Sequence, residues 1–128
     1  MKIIVTSVMV NDKEKAKQFY TEKLGFVVKN EIPIGEHKWL TVVSPEDDHQ
    51  VELLLEPIAF GPGKVYQKEL FDAHIPATMF GVDDIRESYE KLVKLGVMFT
   101  GEPKTMGNVT IAVFDDTCGN LIQIAEQH

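Results

Sequence analysis

The stretch His49–Glu56, HQVELLLE, recurs at an offset of 71 as Asn120–Glu126, NLIQIAE, with Gln123 standing where Glu52 stood. Side chains along a strand alternate between two faces, so Val51, Leu53 and Leu55 share one side and Glu52 and Leu54 the other. One carboxylate is thereby set on a face that should be largely buried. The same offset aligns Leu24 and Gly25 with Leu95 and Gly96, Glu31 with Glu102, and Val42 with Val113. Before the helices the offset becomes 72, and Val10 and Asp12 fall on Val82 and Asp84. A chain that repeats itself in this way is predicted to fold as two copies of one unit.

Each copy reads βαβββ. In the first, Lys2–Val10 is a strand, and Asn11 or Asp12 caps a helix whose face is Ala16, Phe19, Tyr20 and Leu24. Gly25 ends that helix. Phe26–Ile32, Lys38–Val43 and Gln50–Leu55 follow as strands, separated by turns at Pro33–Gly35 and Ser44–Asp48. In the second copy Ala77–Val82 is a strand, and Asp84, with Glu87 three residues on, caps a helix with Ile85, Tyr89 and Leu92 on its inner face. Gly96 closes it, and Val97–Thr100, Asn108–Phe114 and Leu121–Ala125 complete the set. The expectation is an α+β fold: one domain over residues 1–128 made of two modules, about 1–56 and 76–128. A linker, 57–75, joins them, with a loop at Gly61, Pro62 and Gly63 and a short helix over Lys64–Ala73.

The two faces of these strands differ in character. One is aliphatic, with Leu40, Val42, Val51 and Leu53 in the first half and Ile111, Val113, Ile122 and Ile124 in the second, and it suits packing against a helix. The other carries Val5, Ser7, Met9, Trp39, Thr41, Glu52 and Leu54, and then Ala77, Met79, Thr110, Ala112, Phe114, Gln123 and Ala125. If the two curved mixed sheets curl toward each other, these residues line a mostly apolar cleft with few polar groups, the composition of a small-molecule site. A filled sandwich core is the alternative, and Glu52 argues against it, because an unpaired buried carboxylate costs several kcal/mol or stays protonated. Water, Gln123, a ligand, a metal or exposure at a strand edge would each satisfy it. Trp39 serves equally as a stacking platform or as a large interface residue.

Charge narrows the partners. The chain carries 13 basic against 20 acidic residues, a net charge of -7, and Arg86 is its one arginine. Neither nucleic acid nor an anionic membrane surface is expected as a partner. The N-terminal apolar run is too short for a signal h-region or a membrane span, which points to a cytoplasmic protein. Cys118 is the single cysteine, so an intramolecular disulfide and a cysteine-built zinc site are excluded. Cys118 lacks a neighbouring base, and Asp115 and Asp116 beside it read as turn formers. His37, His49, His74 and His128 have no metal-ligand spacing and read as surface histidines, with His74 placed near the site rim.

Tandem βαβββ modules, FYTEKLGF at 19–26, VELLLE at 51–56 and FDDTCGNLIQIAE at 114–126 together resemble the vicinal oxygen chelate superfamily. That superfamily includes glyoxalase I, fosfomycin-modifying thiol transferases, extradiol dioxygenases and bleomycin-binding resistance proteins. The resemblance covers essentially the whole chain and implies a homodimer. In its metal-using members each module offers a ligand from its first strand and one from its last. Those positions here are Val5, Glu52, Ala77 and Gln123, two aliphatic residues, one carboxylate and one amide, so the resemblance implies no intact metal centre and no cofactor.

Three readings follow. The first is a metal-free small-molecule-binding protein whose ligand meets Val5, Ser7, Trp39, Thr41, Glu52, Leu54, Ala77, Met79, Thr110, Phe114 and Gln123. The second is a metal-independent lyase or isomerase with Glu52, its pKa raised by burial, as catalytic general base. The third is a glyoxalase-like or dioxygenase-like metalloenzyme.

Overall fold

In a computed structural model describing residues 1–128, the chain divides into two units, Met1–Lys64 and Val65–His128. The first unit holds β1 (Val5–Val10), α1 (Lys13–Gln18), β2 (Val27–Ile34), β3 (His37–Val43) and β4 (Glu52–Pro57). Its strands run in the order β1-β4-β3-β2. The last strand returns beside the first, parallel to it, with α1 in the crossover that a parallel pair requires. β1 is shorter than expected because β4 offers Val5 its first partner at Glu52, leaving Ile3 and Ile4 exposed.

Asp12 caps α1 by accepting from the Lys15 N–H at 3.1 Å. After Gln18 the helix widens into a π-helical turn over Phe19–Lys23, with the Leu24 N–H reaching back to the Phe19 carbonyl. A regular helix would splay consecutive residues by about 100°. The wider turn lets adjacent Phe19 and Tyr20 both bury, their rings 5.7 Å apart edge to face. Gly25 then leaves the helix at φ 84°, as Gly96 does at φ 88° after the second unit's helix.

α2 (Gly61–Asp72) begins earlier than expected, and Gly61, Pro62 and Gly63 form its first turn rather than a loop. Proline suits this position because its missing N–H is one that the helix start leaves unused. Gly63 is buried, and a Cβ there would meet Ile58, Phe60 and Met9 atoms at 3.2–3.4 Å. No helix of the chain is long and apolar enough to cross a membrane.

The second unit contains β5 (Thr78–Gly81), α3 (Ile85–Lys94), β6 (Met98–Phe99), β7 (Lys104–Met106), β8 (Val109–Asp115) and β9 (Leu121–Gln127). Its order is β5-β9-β8-β6, with β7 also on β8 and β5 parallel to β9. β6 pairs with the end of β8 and β7 with its start, so together they take the place that β2 holds in the first unit. Gly101 and Pro103 break this edge strand, since proline has no N–H for a ladder and glycine weakens one. β7 was not foreseen in the sequence.

The pairing of β8 with β9 corrects the face expected for Thr110 and Phe114. Phe114 stands opposite Ile122, Ala112 opposite Ile124 and Thr110 opposite Glu126. Paired residues point to the same side, so these residues share the α3 face, whereas Ile111 and Val113 share the face of Ala125 and Gln123. Phe114 is fully buried and meets Phe99 edge-on at 5.4 Å, and Phe99 in turn meets Tyr89 of α3 at 4.7 Å. Thr110 bonds Thr105 at 2.9 Å and His128 at 2.7 Å. β8 misleads because Val109, Ile111 and Val113 on one parity are as apolar as Ala112 and Phe114 on the other.

The β8–β9 turn is built on Asp116, which is fully buried. One of its carboxylate oxygens accepts the N–H groups of Cys118 (2.7 Å) and Asn120 (3.0 Å), and the other accepts Asn120 Nδ2 (2.8 Å). Asp115 accepts only the Thr117 N–H in the same turn, and is half-exposed. Asp116→Ala orphans three buried donors and is expected to cost about 3 kcal/mol or more, against about 1 kcal/mol or less for Asp115→Ala, measured by urea denaturation.

Candidate functional site

The parallel pairing of β1 with β4 sets Val5 beside Glu52 and Ser7 beside Leu54. Thr41 on β3 stands opposite Leu54, and Asn30 on β2 stands opposite Thr41. Trp39, two residues from Thr41 on the same strand, pairs with Ile32 and so shares this side. All six residues expected from the first half, Val5, Ser7, Trp39, Thr41, Glu52 and Leu54, therefore lie on one face, opposite the buried face of Val8, Val10, Leu40, Val42, Leu53 and Leu55.

Glu52 is satisfied within its own sheet. Its Oε1 accepts the Thr41 hydroxyl at 2.6 Å and the Asn30 amide N–H at 2.8 Å. Those two hydrogen bonds hold its carboxyl below the usual carboxylate range, Thr41 first and Asn30 second. Partial burial pushes the other way and is outweighed, and the charge of Lys29 adds to the lowering. The expectation of a raised pKa is thus overturned, because donors reach the charged form where burial alone would have favoured the acid. Oε2 receives no bond.

Asn30 was missed in the sequence. A β-bulge between Val28 and Asn30 shifts β2 by one residue and turns Asn30 toward Glu52. Its one sequence signal is an amide within an otherwise apolar and charged strand, VVKNEIPI. On the opposite side of this sheet edge, Glu31 pairs with Lys17 at 2.9 Å and Lys38 at 3.1 Å, and Lys38 also reaches Glu14 at 3.0 Å. These ion pairs tie β2 and β3 to α1.

In the second unit, β5 and β9 place Met79 beside Gln123, and the Gln123 amide donates to the Met79 sulfur at 3.1 Å. The repeat offset would have put Ala77 there instead. Ala77 lies at the strand entrance, where its N–H bonds the Leu121 carbonyl at 2.8 Å. The Cys118 thiol, in no disulfide, is fully buried within the Asp116 turn. His74 is exposed at the end of α2 with φ 59°.

The first- and last-strand positions in this chain do not fit a divalent cation. The first unit offers Val5, without a donor atom, and Glu52, whose Oε1 already takes two hydrogen bonds. The second offers a thioether and an amide, with the alternative Ala77 bearing no donor. Hard cations need several oxygen or imidazole ligands, and no three His, Cys, Asp or Glu side chains come together as such a set.

Comparison with known proteins agrees with this fold. The model of the Glyoxalase/Bleomycin resistance protein/Dioxygenase superfamily matches residues 2–124, and the chain belongs to that superfamily. It is 57% identical over 127 residues to the uncharacterized protein YurT of Bacillus subtilis (strain 168), covering 99% of this chain and 100% of that one. Among solved structures, UcmS2 superposes with a TM-score of 0.83 at 34% identity, covering 98% of this chain and 97% of that one. TnmS3, an antibiotic binding protein from Streptomyces sp. CB03234, gives a TM-score of 0.76 at 26% identity, covering 100% of this chain and 97% of that one.

The lowered pKa of Glu52 fixes the sign of its linkage to stability. Its contribution is complete above the ordinary value of 4.5 and is lost as pH falls through the lower folded value. Thr41→Val removes the shorter hydrogen bond while keeping the side chain's shape. The Glu52 carboxyl should then titrate at higher pH by NMR, and Thr41→Ser should restore the native value.

Proposed function

We propose that this protein is a small-molecule-binding member of its superfamily, a homodimer that has lost the family's metal site. The observation that carries this reading is the state of Glu52: an ionised carboxylate held by Asn30 and Thr41 on a face with exposed Val5, Ile32 and Trp39. Preformed sites for organic ligands combine apolar surface with a few fixed polar groups in this way. On the first unit the binding residues are Val5, Ser7, Trp39, Thr41, Glu52 and Leu54. On the second they are Met79 and Gln123, with Ala77 at their edge; Thr110 and Phe114, packed on the α3 side, are no longer among them. Similarity to an antibiotic binding protein over the whole chain supports the same reading.

Two features weigh against the enzymatic alternatives. A carboxylate stabilised in its charged form is a poorer base than one raised by burial, which disfavours Glu52 as a general base. The mismatch of donors at Val5, Met79 and Gln123 disfavours a metalloenzyme.

Metal analysis of protein purified without chelator or tag, followed by denaturation with added nickel, zinc, manganese and iron(II), tests the loss of the metal site. The expected result is no stoichiometric metal and an unchanged midpoint; bound metal with a raised midpoint would restore the metalloenzyme reading. A thermal-shift screen of planar, cationic and carbonyl compounds tests the binding reading. A true ligand at a hundredfold its Kd should stabilise by roughly 2.7 kcal/mol, and a screen that shifts nothing would count against a ligand site.

A further inference from the structure

We infer that the Glu52 face of the first unit selects an organic cation carrying a flat aromatic ring, and that Glu56 is a second specificity residue on that face. This inference rests on the binding reading above and specifies the ligand's charge. Glu56 pairs with Met9 on β1, as Glu52 pairs with Val5 and Leu54 with Ser7, so the two glutamates lie on the same side of β4 with Leu54 between them. The register that sets Thr41 against Leu54 runs, two residues on, toward Glu56 on β4 and Trp39 on β3. Glu56 is half-buried and makes no hydrogen bond or ion pair. Glu52 likewise leaves Oε2 without a partner.

A face of this kind has an unmet electrostatic requirement. Two part-buried carboxylates four residues apart on one strand, roughly 13 Å along it, repel an anion and leave a neutral guest's apolar surface beside negative charge, to which Lys29 responds at Glu52 alone. A cation satisfies either oxygen, while Trp39, 36% exposed, and Ile32, 50% exposed, offer a flat apolar surface and a π face for its ring. Lys29, at the β2 bulge, acts electrostatically on Glu52, and His37 pairs with Ile34 at the far end of the same side of the sheet. Lys13, Lys17 and Lys38 are engaged away from it, Lys13 with the Lys38 carbonyl and the other two in the ion pairs of Glu14 and Glu31. The net charge of -7 draws cations toward the chain from a distance.

Trp39 is the chain's one tryptophan and reports directly on this face. Its fluorescence would be titrated with three planar probes: proflavine, a cation; acridone, neutral; and anthraquinone sulfonate, an anion. Proflavine should quench Trp39 and bind tighter than acridone, with an affinity that falls as salt is added, and the sulfonate should not bind. Glu56→Gln and Glu52→Gln should each weaken proflavine by about fivefold and leave acridone unchanged, whereas Glu102→Gln, an exposed charge in the second unit, should alter neither. Glu56 has no partner to lose, so its variant tests charge with folding intact, verified by an unchanged denaturation midpoint. If acridone binds as tightly as proflavine, or proflavine is indifferent to both substitutions, the inference about charge is overturned and the binding reading stands. If none of the probes quenches Trp39, both are overturned.

Discussion

The pairing of each unit's first strand with its last, in parallel, is the constraint on which the rest of this structure depends. Parallel neighbours need a long crossover, so a helix must leave one strand end and cover one face before the chain returns. α1 and α3 do this, and each sheet is left with one face under its crossover helix and one open to other contacts, on which Thr41, Leu54 and Ala125 are nonetheless buried. The parallel pairs also decide which side chains meet on the open face: Val5 with Glu52, and Met79 with Gln123. The chemistry available to the protein follows from those two pairings.

Glu52 shows how a sheet can hold a charge chiefly through hydrogen bonds from its own strands, with Lys29 adding a smaller share. Thr41 and Asn30 come from two successive neighbouring strands and converge on one carboxylate oxygen, leaving the other directed to no protein group. Hydrogen bonds to an ionised acceptor are stronger than neutral ones, and here they outweigh the cost of partial burial. The consequence is a fixed anion on an apolar surface. A group already stabilised in its charged form gains little by accepting a proton.

The two units keep one plan and relax it in different places. Gly25 and Gly96 end their helices with closely similar positive φ values, and Asp12 and Asp84 cap them with the same bond to the N–H three residues on. The outer strand differs. β2 is continuous and carries a bulge, whereas its counterpart is split into β6 and β7 around Gly101 and Pro103. Only the unbroken edge delivers an amide to the carboxylate at the Glu52 position, where the second unit has Gln123.

Much of this was legible in the residues themselves. Caps, helix-ending glycines and the repeat of VEL in IQI are local signals, and they defined the α+β units and the superfamily they resemble. The open face of the first sheet was legible too, since Leu40, Val42, Leu53 and Leu55 leave no doubt about which parity is buried. Where both parities of a strand are apolar, as in β8, alternation has no phase of its own. The partner strand and α3 had to supply it, turning Phe114 and Thr110 inward. The meeting of Asn30 with Glu52 was likewise beyond the sequence, because a bulge moves register by one residue and no local propensity marks where it falls. The lowering of the Glu52 pKa rests first on the Thr41 hydroxyl and then on that same Asn30 contact. Burial is written in the sequence as hydrophobicity, but the donors that offset it are chosen by which strands become neighbours.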